Sequence, residues 1–447
     1  MQSEHTHIHH HHVRQREVVV QLEAREAVWE LAPGKRVKGW TYNGQVPGPT
    51  IEARVGDTVV VRLKNSLAEP TTIHWHGLRI PAAMDGTEVV QSPVAPGASF
   101  EYRFVVPDAG TFWYHSHTNE TVQMERGLYG ALIVRGDDEP VVDAERVLEL
   151  DDVALNWTGD FASFSGTIQR HNGRQGDVLV VNGRADTELS VAAGQTERWR
   201  FVNASSARYV LLSLGGRSFS MIGGTGGLLE APVKTTSALL PPGDRVDIAA
   251  GPFAEGDTFD IESLPYNRHA GRTKRNRFAT VRVGAAKASR ASIPERLRTI
   301  APIAAANATP TRRVVLGEKL SLRHGMDFLI NGETHHTDKP VMVGELQIWE
   351  VANTSHMDHP FHLHGFFFQV LSENGTPPAY RSWEDTINVP PKSSVVIAWL
   401  PDDRPGMWMY HCHILEHHAA GMMANFAVVR APEDAAGMQA GMGHCHT

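Results

Sequence analysis

The sequence predicts an all-β protein built from three β-sandwich domains, and three observations predict it. Short runs rich in Val, Ile and aromatics, such as TVVVRLKNS, FEYRFVV and SVVIAWLP, recur between Gly, Pro, Asn and Asp, while long helical periodicity is scarce. At 447 residues the chain is too long for one ordinary core and suits two or three domains. A spaced pattern also recurs three times along the chain.

Each copy of that pattern begins with Asn-Gly: Asn43-Gly44, Asn182-Gly183 and Asn331-Gly332. A further glycine follows 11 or 12 residues later, at Gly56, Gly194 and Gly344. Nine residues on lie Asn65, Asn203 and Asn353, and nine beyond those stand HWHG (74–77), LSLG (212–215) and HLHG (362–365). Turns near Pro96, Pro242 and Pro391 then precede TFWYHSH (111–117), TFDIESL (258–264) and MWMYHCH (407–413). Coincidental turn chemistry does not reproduce the same intervals three times. The predicted domains cover 14–140, 145–287 and 310–432, joined between the last two by an Ala/Pro-rich linker at about 284–311. Histidines occupy the pattern only in the first and third copies.

Composition bounds the function. Apolar residues make up 41% and charged residues 21%, which fits a soluble globular chain. The net charge of −8 and the lack of a long basic run argue against a nucleic-acid partner. No apolar stretch reaches the ~18–20 residues of a membrane span. The start, MQSEHTHIHHHHV, lacks the n- and h-regions of a signal peptide. Two cysteines, Cys412 and Cys445, exclude a disulfide framework.

The 25 histidines are clustered. Four His-x-His pairs fall on predicted strands: His74/His76, His115/His117, His362/His364 and His411/His413. Residues i and i+2 of a strand share a face, so each pair projects two imidazoles together. Eight imidazoles from two domains can then meet at one interface. Imidazole suits copper, zinc, iron or nickel, so the pairs alone leave the metal open.

Cys412 narrows the choice. It stands between His411 and His413, with its thiol on the opposite strand face, and His417, Met422 and the upstream His359 are its neighbours in the same domain. One thiolate, two imidazoles and a thioether form a blue-copper ligand set. A buried structural cysteine would not need those partners. Zinc accepts Cys and His but would not need eight further paired histidines.

With these residues in view the chain resembles the multicopper oxidases, a family that includes laccases, bilirubin oxidases and cuprous oxidases. HWHG, HSH, HPFHLHG and HCHILEHHAAGMM match its four ordered signatures, and the likeness covers nearly the whole chain. The resemblance implies three cupredoxin-like Greek-key β-sandwiches and four coppers per chain: one type 1, one type 2 and two type 3. It assigns His359, Cys412 and His417 to the type 1 copper, with Met422 axial, and His74 and His362 to the type 2 copper. His76, His115, His117, His364, His411 and His413 then hold the type 3 pair. It further implies O2 as the acceptor, reduced to water, and a periplasmic or secreted location. A monomer is expected. Asp85 matches an acidic residue that the family keeps beside the three-copper cluster, and its expected role is to orient water or relay protons; as a turn residue before Gly86 it also has a purely structural explanation. Many bacterial relatives carry Glu directly after the type 1 histidine. Here that position is His418, and Glu416 is expected to face away, so proton supply rests on Asp85 or His418.

For the reducing substrate, the resemblance offers phenols and aromatic amines, or Cu(I) and Fe(II). The 13 methionines are scattered rather than gathered in a methionine-rich insert, which favours the organic donors. A non-enzymatic scaffold relative lacks the ligands that this chain has, and a copper nitrite reductase has two domains. His171, His269, His324, His335, His336 and His356 are expected at the surface or in turns, Trp113 and Tyr114 in a domain core, and the basic stretch 268–277 in a solvated loop. The tail residues Met438, Met442, His444, Cys445 and His446 read either as a Cu(I)-capturing set or as an inert terminus.

Overall fold

The asparagines of the repeat do the same work in each copy. A computed structural model describes residues 16–271, 273–322, 324–435 and 437; the histidine-rich start and the Met/His/Cys tail lie outside them. Asn43, Asn182 and Asn331 all take the left-handed conformation (φ 58°, 50° and 51°) and each is followed by a glycine with positive φ, the geometry that Asn-Gly turns favour. Their side-chain oxygens accept from the backbone N–H of Glu23, Glu149 and Val315 at 2.7, 2.8 and 2.8 Å. Asn65, Asn203 and Asn353 are buried, and each amide donates to two carbonyls across a corner. The acceptors are Glu69 and Val94, Arg208 and Leu240, and Met357 and Val389. The repeat is therefore a repeat of hydrogen-bonded corners.

Between these corners the described residues form six sheets, which pair into three sandwiches. The same parallel pairing recurs in each: Glu17–Ala32 with Thr58–Asn65, Ala144–Val153 with Glu197–Asn203, and Arg312–Ser321 with Gln347–Asn353. Each sandwich has its own apolar core, centred on residues such as Trp75 and Phe104, Trp199 and Phe259, and Trp349 and Trp399. This is the three-sandwich all-β architecture that the pattern predicts, in the cupredoxin-like form that the resemblance implies. Residues 287–311 form no strand, and Leu297 and Ile300 are buried along their path.

Strand register brings the histidines together. His74–His76 pairs with Gly110–His115 so that His74 faces His115. His359–Leu363 pairs with Gly406–Cys412 so that His362 faces His411. The middle copy pairs one residue out of step, with Ser213 rather than Leu212 opposite Glu262. Three short helices lie near the site: α1 (Glu120–Gln123), α2 (Thr167–Asn172) and α3 (Leu415–Ala419). No helix among the described residues is long and apolar enough to cross a membrane.

Candidate metal centre

Two sets of side chains meet on opposite faces of the strand that carries Cys412. The first set is the eight paired histidines, all buried, from the first and third sandwiches. His74 stacks on His364 (centroids 3.9 Å apart) and His76 on His362 (3.8 Å), so each stack joins the two sandwiches. His115 and His117 lie 5.7 Å and 5.6 Å from His413 and His411, respectively.

Backbone carbonyls select the tautomers. His74 and His362 donate Nδ1–H to the carbonyls of Asp85 (2.8 Å) and Asp385 (2.9 Å). His115 and His411 donate theirs to the carbonyls of Ser116 and Cys412, both at 2.9 Å. A carbonyl only accepts, so the lone pair of each ring is left on Nε2. Nε2 of His74, His115, His117, His362 and His413, and Nδ1 of His76, are buried without a hydrogen-bond partner. Nε2 atoms of His364 and His411 face each other at 2.9 Å. Burial, reinforced by neighbouring imidazoles, holds His76, His117, His362, His364 and His411 well below the ordinary histidine pKa. Burial likewise lowers His115, and it lowers His413 to about 3. A dry nest of neutral, inward-facing nitrogen lone pairs fits a cluster of metal ions.

The second set is smaller. Cys412 Sγ lies 3.4 Å from His359 Nδ1 and 3.7 Å from His417 Nδ1, and these two nitrogens are 3.2 Å apart. His359 Nε2 meets Ser355 Oγ at 2.8 Å, and His417 Nε2–H donates to the carbonyl of His171 at 2.9 Å. Both Nδ1 atoms are thereby turned toward the sulfur. Met422 is fully buried in the same core, and its carbonyl accepts from the Cys412 N–H at 3.1 Å. Burial pushes the Cys412 thiol up to about 12. A bound cation reverses that preference, because metal coordination deprotonates a thiol outright. Two imidazoles and one thiol fit copper, with the buried Met422 next to Cys412 through its backbone, and Cys412 links this set covalently to His411 and His413 of the first.

Asp85 sits between the two sandwiches. Its Oδ2 accepts from His364 Nδ1 at 2.8 Å while its carbonyl holds His74, and its buried Oδ1 lies 3.4 Å from His74 Nδ1 without a hydrogen bond. Gly86 permits this approach. It has φ +81°, and a Cβ there would lie 1.8 Å from the Ile73 carbonyl oxygen. Asp385, which sequence reasoning missed, is its counterpart. Its carbonyl holds His362, and its Oδ1 lies 3.3 Å from His76 Nε2. Arg245 of the second sandwich clamps Asp385 with bonds of 2.7 and 2.6 Å and donates to the carbonyl of Thr111 in the first. One side chain thus touches all three sandwiches beside the cluster. The signal was weak: Asp85 follows its histidine by 11 residues and Asp385 by 23, so the repeat spacing conceals the match.

Several expectations need correction. Tyr114 packs the main core of the first sandwich, and Trp113 packs a smaller buried cluster with Met124, Tyr129 and Val202. Trp113 also walls the histidine cluster, 4.4 Å from His115 and 5.1 Å from His76. Arg268 is buried rather than solvated, with its guanidinium 5.9 Å from the Tyr209 ring and bonded to the Asn172 carbonyl. Lys274, Arg275 and Arg277 do lie on the surface, in ion pairs. His171 is half-buried and supplies the carbonyl that holds His417. His418 is buried, stacks on His411 at 4.1 Å and pairs with Glu120 of α1. Glu416 is buried too, and burial raises its carboxyl to about 7.

Comparison with known proteins agrees in all three parts of the chain. Family models described as multicopper oxidase match residues 23–139, 140–280 and 306–432. The multicopper oxidase MmcO of Mycobacterium tuberculosis is 31% identical, over 87% of this chain and 83% of its own. A solved multicopper oxidase from Campylobacter jejuni, described as a metallo-oxidase, superposes with a TM-score of 0.83 at 32% identity, covering 92% of this chain and 91% of its own. A laccase-like enzyme of Ochrobactrum, with oxidase activity towards lignin model compounds and lignosulfonate, gives 0.81 at 25%, covering 93% and 99%.

Proposed function

The chain belongs to the multicopper oxidase family, and on that premise we propose that it couples four one-electron oxidations of a reducing substrate to the reduction of O2 to two water molecules. The observation that carries the reading is the position of Cys412. Its sulfur belongs to one ligand set, while its two chain neighbours belong to the other.

In this reading His359, Cys412 and His417 would hold a type 1 copper, with Met422 as a further, weaker ligand. His74 and His362 hold the type 2 copper, and His76, His115, His117, His364, His411 and His413 hold the type 3 pair. Copper, when bound, supplies one-electron storage and a place for O2. The protein does the rest. Carbonyls fix the imidazole tautomers, the buried packing excludes bulk water, and Cys412 gives electrons a path of a few bonds toward His411 and His413. Asp85, with one buried oxygen that makes no hydrogen bond, is suited to orient a water or relay a proton beside the cluster. His418 and Glu120 form a second polar pair on its other flank.

For the donor, the scattered methionines favour phenols and aromatic amines, and the similar Ochrobactrum enzyme is described as acting on lignin model compounds and lignosulfonate. One observation favours a second reading, oxidation of Cu(I) or Fe(II). The outer edge of His417 is closed by the His171 carbonyl and by Phe328, which stacks on it at 3.8 Å, so a bulky ring has no direct contact with that imidazole. Metal analysis of copper-loaded protein, with O2 consumption on a phenol, Cu(I) and Fe(II), tests the proposal. About four coppers per chain, a blue colour and turnover with one donor are expected. One zinc and no copper would overturn it. Cys412→Ser should abolish the colour and nearly all turnover.

A further inference from the structure

We propose that a cavity at the junction of the three sandwiches binds a small aromatic monocarboxylate, with its ring among Phe366, Phe367 and Trp383 and its carboxylate on Arg298. The site goes beyond the oxidase reading and does not depend on it.

Shape and lining are the first support. The cavity measures about 430 Å3, within the range that encloses a small ligand. The first sandwich gives it Arg79 and Asp108, the second Gly226, and the third its aromatic wall. The segment between the last two sandwiches closes it with Arg298 and Ala301. Phe367 and Trp383 are half-buried, and Leu400, which also lines the cavity, is 45% exposed, so a ligand enters from solvent. None of the lining residues is a candidate copper ligand.

Charge is the second support. Arg79 takes both oxygens of Asp108, each at 2.7 Å, and Asp402 is shared between Arg79 and Arg404. Both carboxylates are therefore satisfied. Arg298 is different: among the described residues no carboxylate pairs with it. Its Nη2–H donates to the Gly226 carbonyl at 2.9 Å, and its Nε is buried without a hydrogen bond. The other acids whose charge reaches it are engaged elsewhere. Glu230 accepts from the Ile300 N–H and from Arg381, and Glu384 from Thr225 and Ser382. A half-buried cation without a counter-charge favours an anionic ligand, and a guanidinium matches a carboxylate in shape. One spare cation suits one negative charge. A phosphate dianion would face Asp108 and Asp402 with no second cation to spare.

The third support is that the walls are already held. Gly226 fixes both halves of the site, because its carbonyl holds Arg298 and its N–H donates to the Trp383 carbonyl at 2.9 Å. A Cβ at Gly226 would lie 2.4 Å from Trp383 Cβ, so only glycine allows this approach. Gln369 pins the connecting segment, donating to the Ala301 carbonyl at 2.8 Å and accepting the Ile303 N–H at 3.1 Å. The Arg404 guanidinium lies 4.6 Å from the Phe366 ring, and Phe367 stacks on Phe112 at 6.5 Å. Walls ordered beforehand lower the entropic cost of binding.

The test titrates the copper-loaded full chain by calorimetry with cinnamate and with its neutral isostere cinnamamide, neither of which is a phenol or an aromatic amine. Wild type should bind one cinnamate per chain with a Kd on the order of 1 mM or tighter, the range for a ligand of this size. Cinnamamide should bind at least about 10-fold more weakly, since it cannot pair with a cation. Arg298→Gln should weaken cinnamate by a similar factor and leave cinnamamide unchanged, and Arg298→Lys should recover part of the loss. Leu400→Glu, at an exposed position that does not threaten the fold, should weaken cinnamate a few-fold by placing a like charge at the site. Cinnamate should raise the melting temperature of wild type more than that of Arg298→Gln. The blue absorption should hold in every variant. No saturable binding to wild type would overturn the site, as would equal affinity for cinnamate and cinnamamide. So would cinnamate binding that neither Arg298→Gln nor Leu400→Glu alters.

Discussion

Removing the Arg245 guanidinium should unsettle the cluster from a residue that touches no metal ligand. Arg245 and Asp385 are 0% and 1% exposed, and two bonds of 2.7 and 2.6 Å join them. Arg245→Met leaves the Asp385 carboxylate buried without its counter-charge, and breaking a buried pair in this way costs about 3–5 kcal/mol. Adding Asp385→Asn removes the stranded charge. The double variant should therefore recover part of that loss and be more stable than Arg245→Met alone. Urea unfolding of the copper-stripped proteins, followed by tryptophan fluorescence, gives the comparison without stabilisation from bound metal. The same Arg245→Met protein should take up copper less tightly at the His76 position, by roughly 10–100-fold, because Asp385 no longer holds that ring steadily. The near-ultraviolet type 3 band and copper per chain report it, and Arg245→Lys should restore them in part. A double variant that loses the full sum of both single losses would refute the pairing argument.

Asp85→Asn should leave the blue absorption and reduction by substrate nearly intact while reoxidation of the reduced enzyme by O2 slows by ~10²–10⁴, the usual range for a proton-transfer group. The defect should deepen as pH rises, and normal stopped-flow reoxidation at full copper occupancy would leave Asp85 a structural residue. Met422→Leu should keep the blue site and raise its reduction potential, since losing a weak axial donor favours Cu(I); an unchanged or lowered potential in a redox titration would move attention to Met423. Copper-free protein should lose stability in acid. Burial lowers His359 and His413 to about 3 in the folded chain. Between about 6.5 and 3 the unfolded chain therefore binds protons that the folded chain refuses, and stability falls with pH. At pH 5 each such histidine costs about 2 kcal/mol. Thermal unfolding at pH 7 and 5 should show a drop that copper loading reduces; equal melting at both pH values would contradict it.

The three-sandwich architecture was legible in the sequence because its corners are local. An Asn-Gly turn and a glycine with positive φ act within a few residues, and each buried asparagine holds a carbonyl four or five residues on as well as one further along its own sandwich, so their spacing survives as a pattern. The four His-x-His pairs were legible for a similar reason, since strand alternation alone gives each pair a shared face. Cys412 between two of them pointed to two linked ligand sets. What the sequence left open depends on pairs distant in the chain. Arg245 meets Asp385 across 140 residues, and His417 meets the His171 carbonyl across 246. Arg268 was misplaced because a loop position that faces solvent and one that is covered look alike in a local window. Only packing decided that Trp113 also walls the cluster and that Arg268 lies buried against a tyrosine. Local chemistry thus set which residues gather as candidate ligands and placed the next residue's carbonyl behind His115 and His411, while the docking of the sandwiches set the oxygens behind His76, His364 and His417, because those come from distant parts of the chain.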